Sequence, residues 1–229
     1  VDRIYYCPHH PDGGFEGEVN ALKKVCDCRK PAIGMLTQAK EDLNADLSAS
    51  WVIGDSTADI LAAQKAGVRS ILLQTGNAGL DDKYPVVPNH ISPNLASAVH
   101  YILHEHPRLL KQCQLWAQDI APEDLVLIGG LSRSGKSTLA HCLQEALQLK
   151  GIKAHILSVD GWLKAPEQRG STVVERYDMN ALNQLLQSLV DRNQHPMQDL
   201  KLQVPIYSKQ DLKSTRSIET VIAPQDVVI

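Results

Sequence analysis

Apolar positions along the chain alternate between short continuous runs and stretches of helical spacing, and the alternation occurs twice. Residues 3–6 form an apolar and aromatic run that predicts a strand, and residues 7–28, rich in Pro, Gly and His, predict a loop. From Pro31 to Asp46 the spacing of Ile33, Leu36, Ala39 and Leu43 predicts a helix, with Pro31 suited to its first turn. A short apolar run at 50–53 ends at Gly54-Asp55, a helix is predicted over 57–66 with Gly67 as its C-terminal cap, and a buried strand over 70–74. Residues 75–93 are dominated by Gly, Asp, Pro and Asn and read as irregular, and helices are predicted over 94–104 and 107–118. A second series then begins: strand 125–128, helix 136–149, strand 153–159, a polar loop and helix 179–190. Strands and helices in this order indicate parallel α/β sheets, and the interval between Pro107 and Pro122 marks the expected boundary between two modules.

Composition narrows the function classes. The chain has 229 residues, a net charge of −3 and a pI near 6.3, so no global basic field attracts nucleic acid or an anionic membrane. No apolar run approaches the ~20 residues that span a bilayer. Five cysteines, three of them within the first 28 residues beside histidines, suit a metal site in a reducing cytoplasm better than a disulfide framework. Both ends of the chain read as cut through a strand, at 3–6 and at Asp226-Val-Val-Ile229, so the expectation is an internal fragment of a longer protein.

The strongest chemical signal is Gly130-Leu-Ser-Arg-Ser-Gly135-Lys136-Ser137, which fits G-x-x-x-x-G-K-[ST] at every fixed position, with an apolar run before it and an amphipathic stretch after it. Glycines let backbone N–H groups turn inward around phosphate oxygens at a helix N-terminus, whose dipole also favours anions. The expected nucleotide contacts are Gly130, Ser132, Ser134, Gly135, Lys136, Ser137 and Thr138, with Lys136 on the β and γ phosphates of ATP and the Ser137 hydroxyl on Mg²⁺.

A second signal lies near the N-terminus. Cys7-Pro-His9 and Cys26-Asp-Cys28 supply three thiolates and one imidazole, the set of a closed structural zinc site, and His10 is the competing imidazole. The loop between the pairs has no core of its own and gains order from such a staple.

Two family resemblances organise these signals. Residues 124–229 resemble the uridine kinase and phosphoribulokinase-like group of P-loop kinases through Ile156-Leu-Ser-Val-Asp160, Arg176-Tyr-Asp-Met-Asn-Ala181, Val204-Pro-Ile-Tyr207 and Asp226-Val-Val-Ile229. The resemblance implies Asp160 as general base on the acceptor hydroxyl, and Tyr207 and Arg216 as substrate contacts. The family's Asp and His between that Tyr and Arg are not kept here, which leaves a nucleoside, a sugar or another small alcohol as the acceptor. Residues 1–105 resemble haloacid dehalogenase-type phosphatases of the heptose bisphosphate branch through Tyr5-Tyr-Cys-Pro-His-His-Pro11, Cys26-Asp-Cys-Arg-Lys-Pro31, Gly34-Met35 and Gly54-Asp55…Asp59. That resemblance implies Lys30 on the transferring phosphoryl group, Arg29 on substrate and Asp55 on Mg²⁺, with Asp59 as a weaker contributor to the metal. The family's Asp-x-Asp nucleophile pair does not occur in this chain.

The fold expected is α/β with two Rossmann-like parallel-sheet modules, the C-terminal part of a haloacid dehalogenase-like fold over 1–105 and the N-terminal part of a P-loop fold over 124–229, joined by 106–123. The function expected is a cytoplasmic, bifunctional sugar-phosphate enzyme that uses Zn²⁺, Mg²⁺ and ATP, with a small phosphorylated sugar and ATP as its partners. The alternatives are a phosphatase with a nucleotide-sensing module, or a kinase carried by a degenerate zinc-bearing scaffold.

Overall fold

A computed structural model describes residues 1–14, 16–132, 134–192, 198–208 and 211–229. The chain divides into two compact units, Val1–Val99 and His100–Ile229.

In the first unit α1 (Gly34–Leu43) is followed by β1 (Trp51–Gly54), α2 (Thr57–Lys65), β2 (Arg69–Leu73), β3 (His90–Ser92) and α3 (Leu95–His100). The three strands form a parallel sheet in the order β1-β2-β3, with Ile53 opposite Ile71 and Leu72 opposite Ile91. β2 buries Ser70, Ile71 and Leu72 in succession, as a strand covered on both faces must, and α2 contributes Ile60, Ala62 and Ala63 to the same core. Gly67 takes φ +66° after α2, and the bonds Val68 N–H to Ala63 O and Gly67 N–H to Gln64 O close a Schellman motif that turns the chain into β2.

Three expectations shift in this unit. The run at 3–6 pairs with no strand among the described residues, and Ile4 and Tyr6 stand exposed. α1 begins at Gly34 rather than near Pro31, because Gly34 sits against the Asp27 carbonyl, where its N–H donates at 2.8 Å and a Cβ would meet the oxygen at 2.6 Å. β3 lies inside the stretch read as irregular. Its three residues are too few to show a period, and it is set in place by the Asn89 side chain, which accepts from the Ser70 N–H at 2.8 Å.

The second unit contains α4 (His106–Trp116), α5 (Lys136–Leu149), β4 (Ala154–His155), α6 (Met179–Arg192), β5 (Leu200–Ser208), β6 (Lys213–Ile222) and β7 (Val227–Val228). α4 follows a π-helical turn at Tyr101–Glu105 and packs on α5, burying Cys113, Ala117, Leu143 and Leu147 together with Val227. β7 pairs in parallel with β4 on one side and through Leu125 with the 125–126 segment on the other, with Val126 N–H donating to Val228 O at 2.8 Å. The strands expected at 125–128 and 153–159 are therefore present only as far as β7 runs beside them: one bridge and two residues. The largest departure is β5–β6, an antiparallel hairpin with a bulge between Ile206 and Tyr207. Its second strand is mostly exposed, and Pro205 ends the alternation that Leu200, Leu202 and Val204 begin in its first, so only a short strand period shows in the sequence.

Candidate functional site

In the first unit the chemistry gathers where β1 ends. Asp55 leaves the C-terminal end of a parallel strand, the position at which open α/β sheets present ligand groups. Loop 75–79 folds over it. Asn77 N–H donates to Asp55 Oδ2 at 2.8 Å, Gly79 N–H donates to the Asp55 carbonyl at 2.8 Å, and a Cβ on Gly76 would lie 2.2 Å from Oδ2. No donor among the described residues reaches the other carboxylate oxygen, Oδ1. One carboxylate oxygen held at a strand end suits Mg²⁺, which keeps most of its ligands as water or phosphate oxygens.

Asp59, the weaker metal candidate, is engaged elsewhere. It forms a capping box with Ser56, accepting the Ser56 hydroxyl at 2.7 Å and the Ser56 N–H at 3.1 Å, and it pairs with the Lys30 ammonium. Burial pushes its carboxyl up, but Lys30 and Ser56 outweigh burial and hold it below the ordinary value. The close approach of Asp59 to the strand end requires Gly54, where a Cβ would fall 2.3 Å from the Asp59 carboxyl carbon. Asp59 thus links Lys30 to the segment that carries Asp55. Sequence reasoning missed Asp81, which accepts from the Thr57 N–H at 2.9 Å and from the Thr57 hydroxyl. Nothing local marks it, since it arrives from 24 residues away.

The N-terminal loop is tied to the same place. Arg29 donates to the His9 carbonyl at 2.9 Å, one residue before Lys30. Cys7, His9, Cys26 and Cys28 bring their ligand atoms within 4.8 Å of one another. Sulfur–sulfur separations are 3.1 to 3.5 Å and His9 Nδ1 lies 3.4 Å from Cys28 Sγ, against edges of roughly 3.5–3.8 Å for tetrahedral zinc with these donors. All three cysteines are free thiols, and His10 turns instead to the Asp12 backbone. Burial pushes the Cys26 thiol up, yet hydrogen bonds from Cys28, the Arg29 backbone, Cys7 and His9 bring it down to about 6. Hydrogen bonds to Cys7 and Cys26 push Cys28 up to about 12. Three thiols and an imidazole gathered this closely form a donor set that a divalent cation could hold.

The second unit places the glycine-rich loop between the 125–126 segment and α5. Gly130 (φ +150°) and Gly135 (φ +87°) adopt backbone conformations that favour glycine, and Gly135 is the N-cap of α5. Its N-cap, a glycine, has no side chain to cap the helix. Lys136 folds back and donates to the Leu131 carbonyl at 2.7 Å, while Ser132, Ser134 and Ser137 are exposed and Thr138 lies in the first turn. Arg133, inside the loop, lies outside the described residues, as do Lys209 and Gln210 in the stretch from Tyr207 to Arg216. Asp160 is exposed in a 3₁₀ turn, and its charge, after burial, helps push the Tyr177 phenol up. Tyr207 pairs across the hairpin with Ser214, and Arg216 with Ile206, so the two expected substrate contacts are not partners.

Known proteins match the first of these regions. A family model described as HAD-hydrolase-like matches residues 27–98. The chain is 49% identical over 79 residues to D-glycero-beta-D-manno-heptose-1,7-bisphosphate 7-phosphatase of Haemophilus ducreyi, covering 34% of this chain and 41% of that protein. It is 40% identical over 119 residues to the enzyme of the same name from Escherichia coli strain K12, covering 52% and 56%. A solved structure of the D,D-heptose 1.7-bisphosphate phosphatase from B. bronchiseptica, complexed with magnesium and phosphate, shares 34% identity over 46% of this chain and 54% of that one, with a TM-score of 0.37. The chain spans about half the length of the curated relatives it matches. Over its N-terminal half it resembles HAD-like phosphatases of this kind, with a parallel α/β fold.

Proposed function

We propose that the first unit is the phosphoryl- and metal-handling part of a Mg²⁺-dependent phosphatase that acts on a small phosphorylated sugar, of the heptose 1,7-bisphosphate type. The observation that carries this reading is the pairing of two features at one strand end: Asp55, with one carboxylate oxygen left open, and Lys30, oriented by buried Asp59. Bound there, Mg²⁺ supplies positive charge to the oxygens of the transferring phosphoryl group. Lys30 adds a second positive charge on the same oxygens, and Asp59 fixes where that charge sits. Arg29, held by the His9 carbonyl, positions the rest of the substrate, and zinc on Cys7, His9, Cys26 and Cys28 holds the loop that bears both. The test is phosphate release from a heptose 1,7-bisphosphate by the full-length protein. Mg²⁺-dependent release at the 7-position is expected; release that persists unchanged in EDTA contradicts the assignment of Asp55.

A second reading applies to the other unit, an ATP-dependent kinase of a small molecule with Lys136 and Ser137 on the phosphates and Asp160 as base. It is supported by the parallel pairing of the 125–126 segment with β7 and by a glycine at the N-cap of α5. Binding of a fluorescent ATP analogue that is lost in Lys136→Ala supports it; binding indifferent to that substitution removes it.

A further inference from the structure

Residues 75–82 cross over Asp55 with almost no core of their own. Thr75, Gly76 and Asn77 are exposed, and Leu80, the one large apolar side chain in the segment, is 64% exposed. The backbone is also held in an unfavourable form. Gly76, Ala78, Gly79 and Asp82 take positive φ, at +62°, +52°, +76° and +36°. Ala78 and Asp82 carry a Cβ, and such residues stay in the left-handed region only where their surroundings over-determine it. With so little side-chain packing, hydrogen bonds must supply the constraint.

Those bonds fall into two sets. In the first, Asn77 N–H and Gly79 N–H donate to Asp55, to Oδ2 and to the carbonyl, both at 2.8 Å. In the second, Asp81 takes the Thr57 N–H on both carboxylate oxygens, at 2.9 and 3.2 Å, and accepts the Thr57 hydroxyl as well. Thr57 is buried and stands two residues beyond Asp55, so the loop is fastened to one short segment at two points. The bonds from Leu80 N–H to Asn77 O and from Asp82 N–H to Gly79 O lie within the loop and tie it to nothing else. Asp81 is thus the side-chain anchor of the segment whose backbone grips Asp55.

We propose that Asp81 is a positioning residue for the metal at Asp55: by clamping the loop to Thr57 it keeps the Asn77 N–H on Oδ2 and leaves Oδ1 as the oxygen that meets Mg²⁺. The proposal rests on the reading of Asp55 as a Mg²⁺ ligand. A carboxylate free to rotate offers either oxygen in many directions, whereas Mg²⁺ demands near-ideal octahedral geometry. Groups that hydrogen-bond a metal's ligands therefore set its affinity without touching it. Asp81 acts in this way, through the backbone of residues 77–79.

The test uses the full-length protein and Mn²⁺ as a paramagnetic stand-in for Mg²⁺, its binding followed by electron paramagnetic resonance and amide exchange of residues 75–80 measured in parallel. Asp81→Ala is expected to speed exchange at Asn77 and Gly79 and to weaken Mn²⁺ binding, each about tenfold. Phosphate release should then need about tenfold more Mg²⁺ for half its maximum, while the maximal rate stays close to the parent's. Asp81→Asn keeps an acceptor for the Thr57 N–H and should recover most of the lost affinity. Asp46→Ala removes a different carboxylate cap in the same unit, the one that accepts the Ser48 N–H at 2.9 Å, and should leave both readouts at parental values. Exchange at 75–80 indifferent to Asp81→Ala, faster exchange with undiminished Mn²⁺ binding, or an equal loss in Asp46→Ala would overturn the proposal. Mn²⁺ binding that Asp55→Asn leaves intact would instead remove the metal assignment of Asp55 and the proposal with it, and the exchange result would still report whether Asp81 holds the loop.

Discussion

Two strand-to-helix junctions in this chain meet the same physical problem in opposite ways. Every helix begins with backbone N–H groups that have no partner inside the helix. At α2 the protein supplies the partners: Ser56 and Asp59 form a capping box, and Asp81 accepts from Thr57. At α5 the N-cap is a glycine in the left-handed region, which has no side chain to supply a partner. The first helix end is saturated with carboxylates and offers nothing to another anion, so on the proposed phosphatase reading phosphate would be met by Lys30 and by a metal at Asp55. The second is left open at the place where an anion is stabilised by backbone donors and the helix dipole. On the two proposed readings, phosphate would be handled by side chains in one unit and by backbone in the other.

Substitutions that exchange or remove these devices sharpen the contrast. The largest effect is expected from Asp55→Asn, which removes the metal's anionic ligand and keeps the Asn77 contact approximately in shape. Phosphatase activity of the full-length protein should fall about a thousandfold, the several kcal/mol that metal charge stabilisation supplies, while binding of an ATP analogue is unchanged. Next is Lys136→Ala, for which analogue affinity should drop about a hundredfold through loss of charged hydrogen bonds and phosphate release should stay at the parental rate.

Asp81→Ala probes the saturated helix end. Loss of this cap should destabilise the first unit by about 1–2 kcal/mol, seen as a fall of several degrees in its thermal transition. The smallest effect concerns pH. Burial pushes the Asp226 carboxyl up, but His155 at 2.7 Å, Lys153 at 3.1 Å and the Ala223 N–H outweigh it and leave it below its ordinary value. A carboxyl lowered in the folded state contributes stability in full above its unfolded pKa of about 3.9 and loses it as pH falls through the lowered value. Denaturant titrations of the Asp226→Asn protein should show a flatter loss of stability below pH ~4 than the parent.

The parts of the molecule that sequence exposes are those built from neighbours in the chain. Gly67 ends α2 through bonds spanning a few residues, and the spacing of Gly130, Gly135 and Lys136 is that of a loop running directly into α5. Cys7, His9, Cys26 and Cys28 are legible because ligand types come in pairs. Features set by distant partners were not: Asp81 reaches α2 across a fold, Lys30 finds its orientation only when Asp59 is brought beside it, and β3 exists because Asn89 meets Ser70. The β5–β6 hairpin was missed for another reason, since the alternation of Leu200, Leu202 and Val204 is cut short at Pro205 and the second strand is mostly exposed.

Amide hydrogen exchange of the full-length protein, with and without a Mg²⁺-bound non-hydrolysable ATP analogue, tests the contrast between the two helix ends most directly. Slowed exchange at 130–138 with 56–60 unchanged is the expected result. Protection that appears at 56–60, or at neither helix end, would contradict the account.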